Sequence, residues 1–313
     1  MLIKKPLIQQ FFRYLSNPTT EVGSKPNWQI IIFNVVRLWA ITFVISMFFA
    51  MLSNLILGRE GYSEDDFAIT EIVMDFPYFL VFFLVAIWAP ISEEIAFRLG
   101  LRFSPINWGL SLSFLLFFLI SILDLPFIPS GWFTFNSLVG TFSTIIFILL
   151  TAVLIYKVLS CKKVGFFVEK FFRRNFQFFF YTLAILFGAL HIMNYDINLR
   201  EMWFFIPILI APQLLLSFTI SFVRMQYGFV WAVFTHAFNN VVAITPILFL
   251  LPALESLEGV ELSEIENMEV FEIFSLSEIM LVIAVSIFLL IIFVVCLLSV
   301  FSLLFELLKK NNN

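Results

Sequence analysis

Hydrophobic positions in this chain neither alternate nor recur at a helical period over most of its length. They run on in unbroken stretches of about 20 residues, the length a helix needs to cross the hydrocarbon layer of a bilayer. Such windows lie at about 28–57, 74–97, 106–123, 134–157, 175–193, 202–223, 228–251 and 279–305. A membrane barrel would instead show shorter segments of period two with polar residues facing a lumen. In lipid only helices and closed barrels satisfy every backbone group. The pattern therefore predicts an all-α, polytopic integral membrane protein with about eight transmembrane helices. Residues 1–27 read as a basic arm, 28–306 as the membrane domain and 307–313 as a short polar tail.

Composition agrees with that class. Of 313 residues, 61% are hydrophobic and 13% charged, where soluble domains run near half and a quarter. The 44 phenylalanines fill core and lipid-facing positions and by themselves imply no function. Cys161 and Cys296 form no metal-binding or disulfide spacing. The first 27 residues lack the apolar core and small-residue site of a cleavable signal peptide. Apart from the phenylalanine bias and the terminal Asn311–Asn313, no repeat or low-complexity tract is visible.

Charge orients the spans. The arm holds Lys4, Lys5, Arg13 and Lys25, and the connection after the fourth span holds Lys157, Lys162, Lys163, Lys170, Arg173 and Arg174. Lys309 and Lys310 close the chain. The opposite connections are acidic: 60–75 carries Glu60, Glu64, Asp65, Asp66, Glu71 and Asp75, and 253–278 carries eight glutamates with no Lys or Arg. Of the 18 basic residues, only Arg59 and Arg200 fall on the acidic side. Basic connections face the cytoplasm, so both termini are expected there, with the plasma membrane as the host bilayer. The stretch 253–278 reads as a solvated outer loop, with a surface amphipathic helix as the alternative. No feature points to nucleic acid.

Against this apolar ground a few polar residues are out of place, and ionisable groups inside a membrane default to a functional hypothesis. The first cluster is Pro90-Ile91-Ser92-Glu93-Glu94-Ile95-Ala96-Phe97-Arg98. Glu94 and Arg98 are four apart and share a helix face, while Glu93 is rotated about 100° away. That divides the cluster into one structural ion pair and one carboxylate left for chemistry, with Pro90 breaking or kinking the helix ahead of them. The bland reading is a charged helix end at the interface. The second cluster is Phe187-Gly188-Ala189-Leu190-His191, in which Phe187 and His191 share a face and Gly188 permits close helix approach. The third is His236-Ala237-Phe238-Asn239-Asn240, with His236 and Asn240 side by side and Asn239 aimed elsewhere. A lone membrane histidine is more often structural than catalytic. Here, however, both histidines of the chain lie in spans with a partner four residues away. Histidine titrates near neutrality, and a buried carboxylate beside it can be tuned toward the same range.

These residues resemble the CPBP, or ABI-domain, membrane proteins, which include the type II CaaX prenyl endopeptidases. The family pattern is EExxxR, then FxxxH, then HxxxN or HxxxD. The chain supplies Glu93 to Arg98, Phe187 to His191, and His236 to Asn240, in that order and over about 74–251. The resemblance implies an intramembrane endopeptidase acting on a membrane-associated protein or peptide. It assigns Glu93 to activating water, His236 and Asn240 to stabilising the oxyanion, and His191 to base partner or metal ligand. Glu94, Arg98 and Phe187 become structural support. The chain departs from compact family members by two inserted spans, 106–157. Glu93 falls near the cytoplasmic end of its span and His191 late in one running outward, so they meet only if the fifth helix starts well inside the cytoplasm or is strongly tilted.

Two routes to the chemistry stay open. Glu93, His191 and His236 match the donor set of a catalytic zinc site with an open position. Asn is a poor zinc ligand and no HExxH helix is present, so a cofactor-free route, with Glu93 as base and His236 and Asn240 as donors, is preferred. Two other functions use the same residues. A proton- or ion-coupled transporter would employ a membrane carboxylate and histidines as a relay, although no inverted repeat is seen. A non-catalytic immunity or partner protein would keep the scaffold alone.

Overall fold

In a computed structural model of the chain, residues 6–21, 26–62, 76–123, 138–195, 197–255 and 275–311 are described. All of the regular structure among them is helical. Residues 63–75 and 256–274, which carry most of the two acidic connections, lie outside the described residues, as does the start of the window 134–157. The helices are α1 (Leu7–Ser16), α2 (Trp28–Arg59), α3 (Tyr78–Phe83), α4 (Ala89–Phe97), α5 (Pro105–Leu123), α6 (Leu138–Ser160), α7 (Lys162–Arg174) and α8 (Phe176–Leu190). They continue with α9 (Leu199–Met202), α10 (Ile206–Leu209), α11 (Ala211–Gln226), α12 (Phe229–Glu255) and α13 (Leu276–Asn311). A π-helical turn, Leu84–Trp88, joins α3 to α4, and 3₁₀ turns follow α4 and α8.

Among the described residues six helices are long and apolar enough to cross a bilayer: Trp28–Arg59, Tyr78–Leu101, Gly140–Ser160, Phe176–Asn194, Phe229–Phe249 and Ile279–Lys309. The chain is thus a helical membrane protein. Two of the eight expected spans fall short. The window 106–123 gives a shorter apolar helix, Pro105–Ser121. The window 202–223 is divided among α9, α10 and α11. Pro207 and Pro212 each lack an N–H and clash with the carbonyl four residues back, so each restarts the helix at its own first turn and α11 is left with 16 residues.

The chain separates into two compact units. The first comprises Met1–Val35, Pro90–His191 and Gln213–Phe234, the second Val36–Ala89, Ile192–Pro212 and Thr235–Asn313.

In the first unit, part of the basic arm is an ordered helix. Leu7, Ile8, Phe11 and Tyr14 of α1 are buried. The Phe11 and Tyr14 rings meet Phe222 edge-on at 5.3 and 5.6 Å, and burial pushes the Tyr14 hydroxyl well above the ordinary tyrosine range. Small residues set the helix spacings. A Cβ on Gly109 would stand 2.9 Å from the Ala152 carbonyl of α6, and one on Gly188 would stand 3.3 Å from the Leu214 backbone of α11. Ala96, Phe97 and Phe187 form a buried core with Phe114 and Phe118 around it.

In the second unit, Trp39 and Ala40 of α2 pack against Val242, Ile292 and Cys296. Val81 and Ala86 pack against Ile244 and Leu248. Arg37 and Glu306 pair at 2.7 Å and tie α2 to the last turns of α13. Gly188 is the tightest backbone approach near the candidate site, so Gly188→Leu is expected to separate α8 from α11. Thermal unfolding in detergent should show a loss of about 1–3 kcal/mol, the usual range for overpacking.

Candidate functional site

The helix carrying Glu93 is shaped by Pro90. Where Pro90 would clash with the turn before it, the chain widens into the π-turn Leu84–Trp88, and the Ala89 N–H reaches back five residues to the Leu84 carbonyl. In that register the next donor would belong to residue 90, which as proline has none. The Val85 carbonyl is taken instead by the Asn240 side chain, whose Nδ2 donates to it at 2.9 Å. The kink is therefore a widened turn rather than a break, and the crossing segment runs on to Leu101. Glu93 consequently lies eight residues inside that end, about 12 Å of helical rise, deeper than the expected end at 97 would put it.

On α4 the two adjacent glutamates diverge. Glu94 is fully buried and Arg98 is 1% exposed, and their side chains pair at 3.3 Å. The Arg98 guanidinium donates through Nη2 to Ser217 Oγ at 2.8 Å, and Ser217 Oγ donates on to the Ala184 carbonyl at 3.1 Å. Its flat face lies over the Phe187 ring, 3.9 Å from the centroid. One group thus joins α4, α8 and α11. Below it Arg224 donates to the carbonyls of Arg98 at 3.0 Å and Leu99 at 3.1 Å. Arg102 donates to the Met225 carbonyl at 2.6 Å. These bonds add side-chain donors to carbonyls just after α4 and in the last turn of α11, the Arg98 carbonyl also accepting from the Leu101 N–H.

Glu93 turns away from that network toward His191. The Glu93 Oε2 to His191 Nε2 distance is 3.8 Å, with the two side chains 21% and 18% exposed. His191 sits where α8 tightens into a 3₁₀ turn. Its backbone N–H shifts to the Gly188 carbonyl, and the Phe187 carbonyl is met by the imidazole Nδ1 at 2.8 Å. A carbonyl only accepts, so Nδ1 carries the proton in the neutral ring. The lone pair is then on Nε2, the nitrogen that faces Glu93. The separation exceeds a direct hydrogen bond.

His236 and Asn240 belong to the second unit's part of α12. His236 is buried. Asn240 has committed one amide N–H to the Val85 carbonyl. Asn239 Oδ1 accepts from Trp39 Nε1 of α2 at 3.3 Å, and its amide stands 3.5 Å from Asn240 Oδ1. Of the set Glu93, His191 and His236, the first two approach each other. Among the described residues, no group of three or more His, Cys, Asp or Glu stands together as a metal set.

Ser217, Arg102, Arg224 and Trp39 were not among the expected residues. Arg224 offered a signal, a cation at the end of an apolar window with no acid four residues away. Ser217 offered none, because a lone serine in a span looks like any other small packing residue. No protein-family model, curated protein or solved structure matches the chain.

Breaking a buried ion pair leaves an uncompensated charge. Glu94→Gln is therefore expected to destabilise the protein by about 3–5 kcal/mol, and Ser217→Ala by about 1–3 kcal/mol. Thermal denaturation in detergent measures both, and equal, negligible shifts would contradict the bracing role.

Proposed function

We propose that the chain is an intramembrane endopeptidase of the CPBP type that hydrolyses a peptide bond of a membrane-associated protein or peptide. One observation carries this reading. Glu93 and His191 face one another at 3.8 Å and are partly open, while the neighbouring Glu94 is consumed by Arg98. A carboxylate and an imidazole of fixed tautomer side by side are the parts of a general base.

In this reading Glu93 takes a proton from the water as its oxygen attacks the scissile carbonyl. His191 orients that water through Nε2. The motif resemblance assigns His236 and Asn240 as donors to the oxyanion. Glu93 then returns the proton to the leaving amine. The reading extends to topology: α5 and α11 cross as the seventh and eighth passes, and both basic termini face the cytoplasm at the plasma membrane.

The test is processing of membrane peptides in cells that carry the protein or its Glu93→Gln variant, read by mass spectrometry. Glu93→Gln is expected to lower cleavage by about 10²–10⁴-fold, the usual range for a general base, with unchanged thermal unfolding. Cleavage at the wild-type rate by a folded Glu93→Gln protein would remove Glu93 from the chemistry. Full activity of metal-free protein after chelation is the expected outcome of the cofactor-free route.

A further inference from the structure

Helix α7 differs from every other long helix in the first unit, because its chemistry changes around its circumference. It follows α6 after one residue, Cys161, and precedes α8 after one residue, Asn175. Both neighbours are of membrane-crossing length. A helix of 13 residues, about 20 Å long, is thus held at the plane where two crossing helices end on the same side.

Its inner face is set by two residues seven apart. A Cβ on Gly165 would lie 2.3 Å from the Leu159 carbonyl, so the glycine lets α7 fold back against the last turn of α6. Phe172 is buried, with its ring edge-on to Trp108 at 5.2 Å and to Phe176 at 5.4 Å. With that face pinned, the outward arc is determined. Val164, Phe167 and Phe171 form an exposed apolar stripe on one side, Phe167 is 70% exposed, and Phe166, equally exposed, stands among the cations. Lys162, Lys163, Lys170, Arg173 and Arg174 are all exposed and occupy the next 120° or so at about 100° per residue. The helix has one acid, Glu169, and its carboxylate is held by Arg173 at 2.8 Å.

An exposed phenylalanine stripe beside a row of cations is the surface of a helix lying in a lipid headgroup layer. The charge excess selects negative headgroups. We infer that α7 lies in the plane of the membrane interface, with Val164, Phe167 and Phe171 in the acyl boundary, and that its cations bind anionic phospholipids of that leaflet. This inference rests on the helix and its neighbours and is independent of the chemistry at Glu93.

The test places a nitroxide at Phe167→Cys, and separately at Lys163→Cys, in the full-length Cys161→Ser protein. Cys296 is buried. The labelled proteins go into nanodiscs of phosphatidylcholine alone or mixed with phosphatidylglycerol. Accessibility to oxygen, which partitions into lipid, is compared with accessibility to a water-soluble nickel chelate. The label at 167 should be open to oxygen and shielded from nickel, and the label at 163 the reverse. Phosphatidylglycerol should deepen the shielding at 167. That gain should disappear at about 1 M salt, where screening is short-ranged, and in the triple variant Lys162→Gln, Lys170→Gln, Arg174→Gln. Nickel access at 167 in both lipids would overturn the interfacial placement. Shielding from both reagents would show a protein partner over the stripe and overturn it equally. Equal shielding in both lipids would overturn the selection of anionic headgroups.

Discussion

A guanidinium buried among helices in an apolar unit has no water to fall back on, and the first unit is arranged around that constraint at Arg98. Its charge is matched by Glu94, one of its nitrogens by Ser217, and its face by the Phe187 ring. Each partner comes from a different helix or turn, so satisfying one side chain fixes α4, α8 and α11 together. The same arrangement turns Glu93 to another face. With its neighbour held at the buried face, the helical rotation of about 100° carries Glu93 to the partly open side where His191 waits. A buried pair of this kind is weak evidence for net stability, since desolvation offsets attraction. Its clearer consequence here is orientation.

The backbone obeys a similar rule. Carbonyls and N–H groups in an apolar environment need partners from within the protein, and both halves of the candidate chemistry arise where regular helix bonding is interrupted. Pro90 removes a donor, the turn before it widens, and Asn240 supplies an N–H to Val85. The 3₁₀ turn after α8 shifts one backbone bond, and the imidazole of His191 meets the Phe187 carbonyl. In each case a side chain with a proposed chemical role also repairs a helix. For Asn240 that repair uses one of its two amide hydrogens, so at most one remains for a substrate oxygen. For His191 the repair selects the tautomer that leaves Nε2 basic.

The ends of the helices follow from the same accounting of partners. Arg224 and Arg102 donate to carbonyls at the termini of α4 and α11, and so occupy a place where water would otherwise be needed. Helix α7 meets the opposite situation, since its outward cations are exposed and only Arg173 is held by a carboxylate of its own helix. In the first unit, buried arginines thus brace helix ends while the cations of α7 stay exposed.

Much of the class was legible in the sequence, because an apolar run of about 20 residues has few stable fates and the bilayer sets its length. Spacing alone also put Glu94 with Arg98, and Phe187 with His191, on common faces, since a helix repeats at fixed geometry. That only six helices among the described residues are long and apolar enough to cross, against eight windows, was less legible. Whether Pro207 and Pro212 kink a helix or restart it depends on what packs beside them, not on hydropathy. The meeting of Glu93 with His191, the Ser217 link and the Val85–Asn240 bond join residues far apart in the chain. No local pattern encodes such contacts. The Ser217 link exists because Gly188 lets α8 approach α11, and the Val85–Asn240 bond because Pro90 leaves the Val85 carbonyl without its backbone donor. The sequence by itself determined which residues are costly to bury. Only the tertiary structure decided which partners meet that cost, because a buried charge is satisfied by whatever the packing brings within a few ångströms.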